Sequence, residues 1–252
     1  MELKKNEIIE NDPWDSLKQF TAARISLGRT GVAVPLKELQ SFRLAHAHAR
    51  DAVFSQLNKP VLTERLQKFN TSILFVHSKA NNRNEFLQRP DWGRELDEHS
   101  IEQLQQINSS SDVAIVLADG LSATAINEHS IALLEKLWPL LNGGGFSIAP
   151  IIVAEQARVA IADEIGVLLK ARFTILLIGE RPGLSSPDSM GAYLTYAPVK
   201  GLTDESRNCI SNIRPGGLDF DAAAKKIFYL VSNAFRLQYT GVQLKDNTHL
   251  ID

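Results

Sequence analysis

The sequence predicts an α/β fold built on a mostly parallel sheet with helices on both faces, and three observations carry that expectation. The runs Ser72 to His77, Val113 to Ala118, Phe146 to Val153 and Phe173 to Ile178 are nearly all apolar, as strands buried on both faces are. Between them, Arg94 to Ile107, Ser122 to Leu141 and Ala157 to Ala171 carry helical patterns, so the order is βαβαβαβ. Parallel strands joined by such crossovers need helices above and below the sheet. Before Pro60 the periodicity is helical only. The expectation is therefore a Rossmann-like α/β domain over residues 60–252, preceded by a small N-terminal helical domain over residues 1–59.

The first helix is expected from about Asp15, a residue type suited to an N-cap, through Leu17, Phe20, Arg24 and Leu27, with Gly28 placed to end it. Its apolar stripe is narrow. After the turn at Gly28 to Gly31, Pro35 suits a first helical position, and Leu36, Leu39, Phe42, Ala45, Ala49 and Val53 continue at near-helical spacing toward Lys59-Pro60. The last helix, Asp221 to Leu237, has Ala222, Ala223, Ile227, Leu230 and Val231 on one face and Asp221 as its expected cap.

With 252 residues, 44% of them hydrophobic and 22% charged, the chain can build a full core and is not a disordered polymer. The formal charge of -2 supplies no bulk field for a polyphosphate or an anionic membrane, which argues against nucleic acid as a partner. No apolar run approaches the ~20 residues of a membrane span. The start, MELKKNEIIENDPWD, is too polar and acidic for a secretory signal, so a cytoplasmic protein is expected. Its helix-prone part runs from Glu2 to Asn11. The single cysteine, Cys209, has no internal disulfide partner, and no CxxC pair is present to hold zinc or an iron–sulfur cluster.

Ligands of open α/β sheets sit beyond the carboxyl ends of the strands. Three loops qualify: Ala118 to Ser122, Val153 to Arg158, and Gly179 to Leu184. Each glycine alone reads as a turn; the three loops together point to a ligand. Several chemistries are excluded. There is no GxGxxG after a strand, no GK[ST] ending and no GxSxG elbow, and Gly143 to Gly145 precedes a strand. His46 and His48 would sit ~200° apart on a helix and cannot share a metal. The other histidines show no ligand spacing, so no metal site is expected. Trp14, Trp92 and Trp138 share no spacing and read as packing residues. The stretch Gly179 to Tyr196 differs in kind: Glu180 and Arg181 emerge from a strand, then Ser185, Ser186 and Ser189 follow a Pro-Gly turn. A carboxylate and hydroxyls there suit a large ligand rimmed with amides. Cys209 by itself reads as a buried packing residue.

Six blocks, in order, resemble the small (light) subunit family of ethanolamine ammonia-lyase: FTAARISLGRTG from Phe20, LAHAHARDAV from Leu44, RPDWGREL from Arg89, ADGLSATAI from Ala118, GERPGL from Gly179 and RNCISNIRPGG from Arg207. The resemblance covers most of the chain. It implies a subunit of an adenosylcobalamin-dependent lyase that turns ethanolamine into acetaldehyde and ammonia by radical chemistry. It further implies a hetero-oligomer with a large barrel subunit, with the cobalamin at the boundary and the substrate-binding catalytic groups on the large subunit. By resemblance Val159 in ARVAIADEIG, Glu180 in GERPGL and Cys209 in RNCISNI contact the cobalamin: Val159 through backbone and apolar surface at the corrin edge, Glu180 as acceptor for corrin amides, and Cys209 filling a gap against the ring. No catalytic residue and no metal ligand are expected on this chain. The chain lacks the DxHxxG motif, so the cofactor is expected to keep its own dimethylbenzimidazole as lower ligand. Two features depart from the family. Fewer than twenty residues precede the first block, which argues against the microcompartment targeting that a longer extension gives some relatives, although Glu2 to Asn11 remains as a short substitute. His48 stands where the family often has Arg. The competing reading is a standalone α/β binding protein for another nucleotide-like ligand that uses the same three loops without a partner subunit.

Overall fold

Alternate residues of the apolar runs face opposite ways, and this decides the layers. A computed structural model describes Glu10 and residues 12–21, 23–107 and 110–247. The start Glu2 to Asn11, Glu10 apart, and His249 lie outside them. The described strands are β1 (Ile73–His77), β2 (Ser111–Ala118), β3 (Ile151–Glu155), β4 (Ala171–Gly179), β5 (Met190–Tyr196) and β6 (Asn208–Ile213). They form one sheet in the order β1-β3-β2-β4-β5-β6. The pairs β1–β3, β3–β2 and β2–β4 are parallel, while β5 and β6 add antiparallel strands at one edge. This order departs from the 3-2-1-4-5-6 order of the dinucleotide-binding sheet.

The helices are α1 (Leu36–Phe54), α2 (Lys59–Leu66), α3 (Arg83–Gln88), α4 (Glu98–Gln105), α5 (Ala123–Gly143), α6 (Ile161–Leu168) and α7 (Phe220–Leu237). Val113, Ile115 and Leu117 of β2 and Phe173, Ile175 and Leu177 of β4 meet α5 and α7 on one face. Ala114, Val116 and Ala118 of β2, with Leu176 and Ile178 of β4, meet α4 and α6 on the other. The expected helices on both faces are there. Among the described residues no helix is long and apolar enough to cross a membrane.

Several expected elements change at their ends. The first helix shrinks to a 3-10 turn at Asp15–Phe20 with no buried residue, because its narrow stripe meets nothing; the chain beyond it is largely irregular, and positive φ at Ser26 and Gly28 breaks any helical continuation. The second helix stops at Phe54, where the Ser55 hydroxyl donates back to Ala52 O at 2.7 Å. Pro60 then sits in the first turn of a separate helix, α2, whose cap Asn58 accepts from Val61 N at 3.3 Å. The run Phe146 to Val153 becomes a strand only from Ile151; Phe146 instead packs on Phe235 of α7, and Pro150 has no N–H to give. The pattern Arg94 to Ile107 becomes helical only at Glu98, capped by Asp97. α6 ends at Leu168, and Lys170 at φ 50° turns the chain so that Ala171 opens β4. The cap of α7 is Asp219, whose Oδ1 accepts from Ala222 N at 2.9 Å; Asp221 lies inside the first turn and pairs with Lys225 at 2.7 Å.

Candidate functional site

The chain after β2 leaves for the α5 face and the chain after β3 for the α6 face, so a crevice opens between their carboxyl ends. Asp119, at the end of β2, ties the two loops together. Its Oδ2 accepts from Gln156 N at 2.8 Å and its Oδ1 from Ala157 N at 2.9 Å. These bonds hold Gln156 at φ 52°, a left-handed conformation that costs a non-glycine residue about 1 kcal/mol or more. Asp119 is 4% exposed, and its burial pushes its pKa up to about 6 against the lowering effect of the Ala157 and Gln156 amides and Arg83.

The loop after β4 closes on the same corner. Leu121 N donates to Gly179 O at 2.9 Å, and a Cβ on Gly120, at φ 54°, would stand 2.2 Å from that oxygen. Only glycine fits there. The far side of the loop is fastened by the Ser122 hydroxyl, which donates to Pro187 O at 2.8 Å, and by His129 Nε2, 2.9 Å from Asp188 Oδ2. Glu180 joins three elements: Ser189 Oγ donates to its Oε2 at 2.5 Å, Ser211 Oγ to its Oε1 at 2.5 Å and Asn212 N to its Oε2 at 3.2 Å.

These loops border a concavity of about 340 Å³ lined by Gly120, Arg158, Val159, Glu180, Arg181 and Tyr193 among others. Val159 and Glu180, expected to share a ligand, thus meet in one cleft. Cys209 stands beside it and does not line it: on β6 it is the register partner of Tyr193, whose hydroxyl it engages in a hydrogen bond. The expectation of a buried packing cysteine is corrected, because Cys209 is exposed on an edge strand. Partial desolvation nonetheless raises its thiol pKa, opposed by the Tyr193 hydroxyl and assisted by the charges of Glu180 and Asp204. The Tyr193 hydroxyl is raised too, first by desolvation and then by Cys209.

Sequence reading missed a cationic wall behind Val159. Arg83 and Arg158 both stack on Phe86, at 4.6 and 4.2 Å from its ring centroid. Arg83 Nε donates to Val53 O at 2.6 Å and its Nη1 to Gly120 O at 2.8 Å, so one guanidinium joins the end of α1 to the loop after β2. Val53 and Gly120 lie 30 and 37 residues from Arg83, and Arg158 lies 72 from Phe86, so only Arg158, Gly120 and Asp119, already inside the three loops, could have been flagged. Tyr193 escaped notice because β5 was not expected.

Known proteins share this chain's pattern over nearly its whole length. The family model described as ethanolamine ammonia-lyase light chain (EutC) matches residues 11–245. The ethanolamine ammonia-lyase small subunit of Pseudomonas putida (strain W619) is 49% identical, over 96% of this chain and 91% of that one. Those of Pseudomonas aeruginosa (strain LESB58) and Ralstonia nicotianae (strain ATCC BAA-1114 / GMI1000) are 47% and 48% identical, over 95% and 94% of this chain and 89% and 90% of theirs. With six sequence blocks, a family match across the described sheet and relatives at this identity, the chain belongs to the ethanolamine ammonia-lyase light chain family.

Proposed function

We propose that this chain is the small subunit of an adenosylcobalamin-dependent ethanolamine ammonia-lyase and holds one edge of the cofactor against a large subunit. The observation that carries the reading is the meeting of Val159 and Glu180 in one concavity at the strand ends, in a chain of this family. The donor set fits. A carboxylate has about four acceptor positions, and three on Glu180 are taken by Ser189, Ser211 and Asn212, which leaves one for a corrin amide N–H. The amide of Val159 has no acceptor among the described residues and is available to a corrin amide oxygen. Tyr193 and Cys209 offer a half-open patch of sheet beside α6.

Size argues for a second subunit. A concavity of about 340 Å³ suits a ligand of drug size at most, and cobalamin is several times larger. The rest of the cofactor needs another surface, which speaks against the standalone binding protein. When bound, adenosylcobalamin supplies radical chemistry by homolysis of its cobalt–carbon bond. This chain's residues bind and orient, and keep water from one edge of the cofactor. The groups that handle ethanolamine belong, on this reading, to the large subunit. Residues 1–59 serve as a docking segment: of the 19 residues of α1 only Ala52 is buried, while Leu36 is 68% and Leu44 59% exposed. A cytoplasmic protein, with or without a microcompartment around it, accords with this reading.

The test is to express the chain alone and together with a large subunit, then measure cobalamin retention from the visible spectrum, and lyase activity. Retention and activity only in the co-expressed sample support the reading. Activity or full retention by the chain alone would overturn it.

A further inference from the structure

Arg158 borders both the 340 Å³ concavity and a neighbouring one of about 580 Å³ that also reaches Arg94. Its guanidinium is poorly matched by the protein. Nη2 donates to Phe86 O at 3.3 Å, but Nε is buried without a partner, as is Nη2 of Arg83, which stacks on the same ring. Among the described residues no carboxylate lies within ion-pairing distance of Arg94, Arg158 or Arg181. The carboxylates around the two concavities are committed elsewhere: Asp119 to loop amides, 3.6 Å from Arg83; Glu180 to serines and a backbone amide; Glu95 to Lys79; Glu164 to Lys200 and the Leu96 amide; and Asp204 to Arg207. Arg158 therefore stands where two concavities meet, with Arg181 lining one, Arg94 the other and Arg83 stacked on the same Phe86 ring, in a chain whose overall charge is -2. Desolvation, then the repulsion of Arg83, Arg94 and Arg181, lowers the pKa of Arg158, against the raising effect of Asp119.

We propose that Arg158, flanked by Arg181 and Arg94, is a phosphate-binding subsite of the cleft, and that its occupant is the phosphodiester in the nucleotide tail of the cofactor. This rests on the reading of the cleft as a cobalamin site. A corrin edge rimmed with neutral amides gives the guanidiniums nothing ionic to meet. A phosphodiester carries one negative charge and two free oxygens, which match the planar donor fork of arginine. The formal charge of -2 argues for one phosphate and against a polyphosphate or nucleic acid.

The experiment uses the chain assembled with the large subunit and compares adenosylcobalamin, adenosylcobinamide phosphate and adenosylcobinamide, which has no phosphate, by equilibrium dialysis. Arg158→Met should weaken the two phosphate-bearing ligands roughly 10- to 150-fold, the worth of one charge-assisted hydrogen bond, and leave adenosylcobinamide within about twofold. Arg158→Lys should recover part of the loss. Because Arg158 also packs on Phe86, the exposed Arg181→Gln provides a second variant that spares the core, with a smaller loss confined to the same two ligands. Equal losses for all three ligands, or no loss for any in either variant, overturn the phosphate subsite while leaving the cobalamin cleft standing. Failure of the wild-type assembly to take up any of the three overturns the cleft reading and the subsite with it.

Discussion

Replacing Glu180 separates a ligand contact from a structural strut, because its two oxygens do unequal work. In Glu180→Gln the amide oxygen can keep the Oε2 position, where Ser189 Oγ and Asn212 N donate, while the NH2 faces Ser211, an exposed hydroxyl free to turn and accept. What is lost is charge. A hydrogen bond to a charged group is worth about 1.5–3 kcal/mol and a neutral one about 0.5–1.5, so each bond loses roughly 1–1.5 kcal/mol. For the corrin amide this means a cobalamin Kd raised roughly 5- to 13-fold. For the fold, where partial exposure reduces the effect, we expect about 1 kcal/mol, or a Tm lower by about 2–4 °C. Glu180→Ala removes every acceptor and strands the hydroxyl of Ser189, which is 5% exposed. Its Kd should rise roughly 10- to 150-fold and its Tm fall by about 4–10 °C. Equilibrium dialysis on the assembled enzyme and thermal unfolding of the chain read the two effects separately. If melting falls as expected and Kd stays at the wild-type value in both variants, Glu180 is a strut between β4 and β6 and the cofactor contact is refuted.

Asp119 sets a pH signature. Its folded pKa of about 6 lies above the ~3.9 of an unfolded Asp, so between those values the unfolded chain releases a proton that the folded one keeps. Stability from this group is greatest below pH 4, falls by ~3 kcal/mol as pH rises to 6, and is flat above. Asp119→Asn should flatten that interval in denaturant titrations while weakening the loop, since one of the amides of Gln156 and Ala157 then faces an NH2. An unchanged pH profile would show that Asp119 is ionised in the fold throughout. Deleting residues 1–31, which include the 3-10 turn without a buried residue, should leave the sheet domain cooperatively folded but abolish co-purification with the large subunit. Assembly at wild-type affinity would remove the docking role from that segment.

What was legible in the sequence follows from how each element is buried. β2 and β4 are covered on both faces, so the apolar residues run together and stand out. β6 is an edge strand with only Ile210 and Ile213 facing the core, while Cys209, Ser211 and Asn212 meet solvent; its composition looks like a loop although the pairing is regular. β5 carries a period-two signal, with Ala192 and Leu194 turned to the α5–α7 face and Tyr193 to the α4–α6 face, but the register shift between Met190 and Ala192 blurs its start. The missed hairpin explains why Cys209 was read as buried. It also hid Tyr193, which stands between Cys209 and the cleft. The three loops were legible because Gly and polar residues end each apolar run. The Arg83, Phe86 and Arg158 stack was not, because its members meet only once the sheet has formed.

The central claim is that cobalamin lies at the boundary between this chain and a large subunit, with its edge in the cleft of Val159 and Glu180. A cryo-electron microscopy map of the co-expressed complex loaded with adenosylcobalamin tests it most directly. The account predicts corrin density against Val159, Glu180 and the Tyr193–Cys209 patch, with the opposite side covered by the large subunit. Corrin density enclosed wholly within the large subunit, with this cleft filled only by water, would contradict it.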